Sequence, residues 1–270
     1  MLDPPLPTAG DRWALFLDVD GTLVAIAPRP HEVRVDPGLP LLLGRLGSAC
    51  DGALALVSGR RLADIDVLFS PLRLPAAGVH GWQRRRADGA VVVADEPVEM
   101  LRPLRRGLAA WASTRPGLLF EDKGGSLALH YRLAPEHGPG LRRLARRLVA
   151  HQTPLRMIDG RKVIEVLPRG IDKGTAIAAF LAEPQFAGRL PVYAGDDATD
   201  EDGFRVVNRL GGITIRVADL ELGDAASAAR YAVPSVATLR RWLAAVAERL
   251  GGPGDLEHAA LAEPQRSLPC

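Results

Sequence analysis

Asp18 and Asp20 stand two residues apart in Asp18-Val19-Asp20-Gly21-Thr22, directly after the apolar run Trp13-Ala14-Leu15-Phe16-Leu17. That run is long enough for a buried strand and too short for most helices. Two carboxylates at the carboxyl end of a buried strand are costly unless a cation or hydrogen-bond donors compensate them. Gly21 lets the chain turn sharply away from the strand. Open α/β sheets bind ligands at the carboxyl ends of their strands, so chemistry is expected here. Taken alone, the pair also suits a strand that merely ends in an acidic turn.

Two further apolar runs end in the same manner. Ala53 to Val57 leads into Ser58-Gly59-Arg60, and Leu190 to Ala194 leads into Gly195-Asp196-Asp197-Ala198-Thr199-Asp200-Glu201. A hydroxyl and free backbone N–H groups at a helix start form an anion site, although Ser58 also reads as an ordinary N-cap. Lys173, in Ile171-Asp172-Lys173-Gly174, opens a helix between the last two strands. In a parallel sheet these ends converge on one edge. Hard oxygen ligands with a single lysine suit magnesium and phosphate; zinc would call for histidine and cysteine. Hydrolysis of a phosphate monoester needs acceleration of up to about 10²¹-fold, of which general acid–base help supplies only about 10²–10⁴. The remainder must come from electrostatic stabilisation, positioning and a covalent intermediate. These residues offer all three.

The elements that would position them follow from the rest of the 270 residues. Asp36-Pro37 starts a helix with the stripe Leu39, Leu42, Leu43 and Leu46. Leu62, Ile65 and Phe69 mark a helix after Ser58, and Ala77 to Val79 a short strand before His80-Gly81. From about Gln83 the pattern changes: a strand at Val91 to Val93, a helix through Leu101, Leu104, Leu108 and Trp111, and a hairpin of Leu118 to Glu121 with Ser126 to Tyr131. A helix through Leu141, Leu144 and Leu148 and a strand at Val163 to Val166 complete this stretch. Hairpins and helices in that order predict an α+β module inserted between the halves of an α/β domain. The α/β pattern resumes at Lys173, with a strand at Gly212 to Val217 and a last helix through Val236, Leu239, Leu243 and Val246.

Composition narrows the function classes. The net charge of +2 provides no field for nucleic acid or membrane. Arg142, Arg143, Arg146 and Arg147 lie opposite a leucine stripe with no aromatics interleaved for base stacking, which is the pattern of a solvated helix face. Cys50 and Cys270 form no metal or disulfide pattern. No apolar segment is long enough for a bilayer, and Met1 to Trp13 lacks the regions of a signal peptide. The default is a cytoplasmic monomer. Lysine is confined to Lys123, Lys162 and Lys173, which suggests that a surviving lysine is used as a compact point charge.

The order DVDGT, SGR, DKG, GDDATDEDGF resembles the haloacid dehalogenase superfamily. GVHG at 78–81, EDKGGSLALHYR at 121–132 and RKVIEVLPRGIDKG at 161–174 resemble, within it, the trehalose-6-phosphate phosphatase family. The resemblance covers roughly residues 12 to 245. It implies a Rossmann-like parallel-sheet core at 1–81 and 168–250, an α+β cap at 82–167, and a flexible tail at 251–270. It further implies that Asp18 attacks phosphorus, Asp20 acts as acid and then base, Ser58 hydrogen-bonds the phosphoryl oxygens, and Lys173 neutralises their charge. Magnesium would be held by Asp18, the Asp20 carbonyl and Asp196, with Asp197 or Asp200 as outer support. Gly59, Arg60, His80, Lys123, His130, Arg132, Arg161 and Glu165 are the implied substrate-binding residues. Arg161 departs from the family, which often has lysine four residues before the glutamate. Simpler roles stand beside these: His130 as a structural histidine, Glu165 as an ordinary strand carboxylate, His80 as a turn residue. The substrate implied is trehalose 6-phosphate. Alternatives are another sugar phosphate such as sucrose phosphate, a phosphomutase, and a non-hydrolytic phospho-receiver, against which the large cap and Asp20 argue.

Overall fold

Strand β1 (Trp13–Leu17) is buried along its whole length, as a continuous apolar run requires when helices cover both faces of a parallel sheet. The computed structural model describes residues 3–95, 98–150, 154–218 and 227–251. After β1 come α1 (Gly38–Ala49), β2 (Leu54–Val57), α2 (Leu62–Phe69), β3 (Ala76–Gly78), β4 (Gln83–Arg85), β5 (Val91–Val93) and α3 (Arg102–Ser113). Then follow β6 (Leu119–Asp122), β7 (Leu127–His130), α4 (Gly138–Ala150), β8 (Leu155–Gly160) and β9 (Val163–Pro168). The chain continues with α5 (Lys173–Leu181), β10 (Leu190–Gly195), α6 (Glu201–Arg209), β11 (Ile213–Val217), β12 (Tyr231–Val233) and α7 (Val236–Gly251).

Eight strands form one sheet in the order β12-β11-β10-β1-β2-β3-β4-β5. From β12 to β3 the pairings are parallel; β3–β4 and β4–β5 are antiparallel. The central position of β1, between β10 and β2, aligns the ends of all three. Leu39, Leu43 and Leu46 of α1 and Leu239, Leu243 and Val246 of α7 bury their stripes against this sheet. Trp13 stacks on Trp242 at 6.1 Å. Asp36 accepts a hydrogen bond from the Gly38 N–H at 2.8 Å, but Pro37 takes the N-cap position, so the helix starts one residue after the place the Asp-Pro pair predicts. Asp172 and Thr175 cap α5 reciprocally, which fixes the helix start that presents Lys173.

A second sheet, β6-β7-β9-β8, is antiparallel throughout. Leu127, Leu129, Ile164 and Val166 face α3 and α4 and bury Leu104, Leu108, Leu141 and Ala145. Side chains alternate along a strand, so the intervening residues occupy the helix-free face. The register places Leu119, His130 and Val163 in one row and Glu121, Ala128 and Glu165 in the next. This face turns toward the carboxyl ends of β1 and β2.

Three elements differ from the expectation. The strand at Val91–Val93, together with β4, extends the eight-stranded sheet, although the change of character at Gln83 suggested that it belonged to the inserted module. By sheet membership the two units part after Val93. Composition conceals this because all three valines are exposed on the sheet's edge strand. β8 lacks a clean alternation, since Arg156 and Asp159 interrupt Leu155, Met157 and Ile158. β12 is only three residues long. Arg143, Arg146 and Arg147 are exposed on α4, and Arg142 pairs with Asp159 at 2.6 Å. No helix among the described residues is long and apolar enough to cross a membrane. The tail expected from residue 251 lies, beyond Gly251, outside the described residues.

Candidate functional site

Asp18 follows β1 directly and is buried, 3% exposed. Its Oδ1 accepts from Lys173 Nζ at 2.7 Å and its Oδ2 from Thr22 Oγ1 at 2.9 Å, so both oxygens are oriented. Lys173 also reaches Asp200 at 2.6 Å. Asp200 is fully buried, bonds the Tyr193 hydroxyl, and accepts the Asp196 and Asp197 amides at 2.9 Å each. Asp200 thus holds the β10 turn in shape, and that turn presents Asp196. Gly21, at φ 86°, passes so close that a Cβ there would lie 2.1 Å from an Asp196 oxygen. Only glycine tolerates both conditions.

Oxygen atoms of Asp18, Asp196 and Asp200 lie within 4.8 Å of one another. Burial pushes the Asp18 carboxyl up to about 7, with Lys173 offsetting only part of the effect. Burial, with Asp18, Asp200 and Asp197 nearby, raises Asp196 well above the usual carboxylate range. Burial disfavours the charge of Lys173, but Asp18 and Asp200 outweigh it and keep the ammonium protonated. Three clustered carboxylates share one lysine, a deficit of positive charge that a hard divalent cation would fill. The donor set fits such an ion.

Ser58 ends β2, is buried, and accepts the Arg60 amide at 3.1 Å. Arg60 turns its guanidinium toward Asp20 and the Pro30 carbonyl. Gly59 packs against His80, where a Cβ would lie 2.8 Å from the imidazole. His80 sits in the left-handed region at φ 57°, next to Val79 at φ 49°, and this backbone is sparsely populated for non-glycine residues. Its Nε2 lies 3.0 Å from Glu165 across the junction between the two sheets.

Glu165 gathers the cap side of the site. It accepts from Lys123 at 3.2 Å and from Ser126, besides its bond with His80. Burial would raise its carboxyl, yet Lys123, His80 and these hydrogen bonds hold it well below the usual range. Because the folded value is depressed, its stabilising contribution is complete above the ordinary glutamate range and is lost as pH falls through the folded value. The protection of β7 and β9 amides, taken relative to the intrinsic exchange rate at each pH, should therefore fall as the solution is acidified below that range. Glu165→Gln should flatten the acid response, and an unchanged profile in that variant would place the response elsewhere.

The remaining predicted residues divide between two roles. His130 pairs with Glu121 at 2.9 Å, and that contact helps lower the glutamate against its burial. Arg132 donates to the Arg161 carbonyl at 2.7 Å. Asp197 accepts the Arg161 amide at 3.1 Å, and its other oxygen caps Ala198. Asp197 thus joins the two sheets, and its side chain lies outside the cluster of three carboxylates. All the predicted site residues except Asp200 line one cavity of about 780 Å³, within the range of small-ligand sites of about 300–1,000 Å³. Thr22, Ser126 and Tyr193 were not singled out from sequence, although each lies inside or beside a motif. Glu121, Phe120 and the segment 26–35 also line this cavity. The alternation of β6 against His130 could have revealed Glu121; the loop had no such signal.

A profile of the trehalose-phosphatase family matches residues 16–237. A probable trehalose-phosphate phosphatase of Sinorhizobium fredii is 46% identical over 243 residues, covering 90% of each chain. The trehalose-6-phosphate phosphatase of Escherichia coli is 41% identical over 237 residues, covering 88% of this chain and 87% of that one. Among solved structures, the C-terminal domain of trehalose-6-phosphate phosphatase from C. albicans superposes with a TM-score of 0.78 at 20% identity, over 91% of this chain and 99% of that one.

Proposed function

The chain belongs to the trehalose-phosphatase family of phosphatase enzymes, with the haloacid dehalogenase fold, and from that premise we propose that it hydrolyses trehalose 6-phosphate with magnesium through an aspartyl-phosphate on Asp18. The observation that supports this reading best is the buried Asp18 carboxylate, oriented on both oxygens at the floor of a cavity roofed by a polar sheet face.

An Asp18 oxygen attacks phosphorus in line with the sugar oxygen, and Lys173 and Thr22 keep the carboxylate aimed as the bond forms. The P–O bond to the sugar breaks, and Asp20 gives that oxygen a proton, which releases trehalose. Asp20 then takes a proton from water as the water attacks phosphorus. The acyl-phosphate bond breaks, phosphate leaves and the Asp18 carboxylate returns. Ser58, buried at the strand end beside Asp18, donates its hydroxyl to the transferring oxygens. Asp18, Asp196 and the Asp20 carbonyl would hold magnesium, which would supply positive charge to offset the clustered carboxylates against a phosphate dianion.

The core residues act on phosphorus and cannot distinguish sugars, so discrimination falls to the cap, where the wrong sugar leaves buried polar groups unpaired. Lys123 uses one of its three N–H groups on Glu165 and retains two for hydroxyls. Phosphate release from trehalose 6-phosphate, sucrose 6-phosphate and glucose 6-phosphate with magnesium tests the assignment. Trehalose 6-phosphate should have the highest kcat/KM, and equal values would overturn it. Lys123→Ala should lower that kcat/KM by roughly 10- to 1000-fold, as one or two charge-assisted bonds are lost, while a small aryl phosphate changes by less than about threefold. Equal losses on both substrates would assign Lys123 to closure of the cap.

A further inference from the structure

Arg60 makes three contacts that no step of the mechanism above uses. Its Nε donates to Asp20 Oδ2 at 2.6 Å and its Nη2 to Asp20 Oδ1 at 2.7 Å, a two-point fork. The same Nη2 donates to the Pro30 carbonyl at 3.0 Å. Pro30 opens a short 3-10 turn at Pro30–Glu32, within the segment that walls the cavity through Ile26, Pro28, His31 and Val33. The Asp20 side chain is 34% exposed and that of Arg60 only 13%. The carboxylate thus stands at the open side of the site, and the cation that holds it is the better packed of the two.

We propose that Arg60 is a positioning residue for Asp20: it fixes the direction of the acid–base carboxylate and ties that direction to the cavity wall at Pro30. The proposal rests on the reading of Asp20 as the proton donor and acceptor. Asp18 is oriented by Lys173 and Thr22; among the described residues, Arg60 is the side chain that hydrogen-bonds the Asp20 carboxylate. A carboxylate offers about four lone-pair sites, so the fork occupies one on each oxygen and leaves one on each for the travelling proton. Without the fork, the partly exposed side chain would sample several rotamers, and a misplacement of about 1 Å costs about 10²-fold. The geometry is specific to arginine. A planar guanidinium reaches two carboxylate oxygens and a carbonyl together, whereas the lysine ammonium is a point charge on a flexible stem.

The rival role for Arg60 is direct contact with the phosphoryl group, and the two separate in kinetics. As a positioning residue, Arg60 matters where the leaving group needs a proton. Arg60→Ala should lower kcat on trehalose 6-phosphate by about 10- to 100-fold. Its KM, inhibition by inorganic phosphate, and kcat/KM on 4-nitrophenyl phosphate, which reports steps only up to departure of a leaving group that needs no proton, should each shift by less than about threefold, while kcat on that substrate also falls because Asp20 must still activate water. Arg60→Lys should remain nearly as slow as Arg60→Ala. In an Asp20→Asn background, Arg60→Ala should cost less than about threefold more, because its only route to the chemistry is already gone. Weakened phosphate inhibition, equal losses of kcat/KM on both substrates, or a full additional loss in the Asp20→Asn background would each overturn the proposal. Should Arg60→Ala melt at a much lower temperature, Arg60→Lys carries the same comparison with the charge retained. Asp20→Asn alone tests the premise separately: if it lowers kcat/KM on both substrates alike, the acid role of Asp20 falls, whatever Arg60 does.

Discussion

Replacing Asp18 by Asn is expected to reduce turnover of trehalose 6-phosphate by more than about 10⁴-fold and to abolish any acid-stable phosphoenzyme. The substitution is nearly isosteric, so Thr22 and Lys173 remain packed around an amide that cannot attack phosphorus. The loss should be the same on 4-nitrophenyl phosphate, because a good leaving group does not relieve the need for a nucleophile. That equality distinguishes Asp18 from Asp20, whose replacement should cost less in kcat/KM on the activated substrate. Asp18→Asn also removes one of the carboxylates that crowd this pocket, where burial pushes the Asp18 carboxyl to about 7. Its melting temperature without divalent cations should therefore equal or exceed that of the parent. Residual turnover within a hundredfold of the parent, or an undiminished phosphoenzyme, would assign the nucleophile to another residue.

The strand ends were legible in the sequence because each combines a continuous apolar run with an abrupt polar stop. A run such as Trp13 to Leu17 has one stable environment, a sheet covered on both faces, and the residues after it must then lie on a common edge. Lys173 was legible for a related reason, since Asp172 signals the helix start that presents it. What remained hidden depends on long-range pairing. Arg60 follows Ser58 in the same motif, but its engagement with Asp20 and Pro30 spans 40 and 30 residues and leaves no local trace. Glu165 reads as one carboxylate on an alternating strand, yet its partners come from the turn between β6 and β7 and from the turn at His80. Val91 to Val93 misled for the opposite reason: their composition is that of a buried strand, while their position is an exposed edge. Composition reports how much a residue gains from burial, and pairing decides whether it is buried.

Removal of divalent metal should affect the enzyme as strongly as loss of the nucleophile, and with a different signature. Asp18, Asp196 and Asp200 place oxygens within 4.8 Å of one another, with Lys173 as the cation that bridges two of them. Burial with these neighbours raises Asp196 well above the usual range, so in metal-free protein part of the cluster binds protons. A dianionic phosphate approaching that cluster meets net negative charge in a site of low dielectric, where repulsion is poorly screened. Excess chelator should therefore abolish turnover, and returning magnesium should restore it. A second reading does not depend on activity: an ion that binds only the folded protein stabilises it by RT ln(1 + [L]/Kd), about 2.7 kcal/mol at a hundredfold excess over Kd. The melting temperature should rise with magnesium concentration in the parent, and much less in Asp196→Asn, which removes a ligand while leaving Asp200 to hold the β10 turn. Proton release on titration with magnesium should accompany the shift, since protonated carboxyls must ionise to bind the ion. Full activity in chelator, or a thermal shift in Asp196→Asn equal to that of the parent, would mean that this cluster serves the fold and that the phosphate is neutralised by other charges.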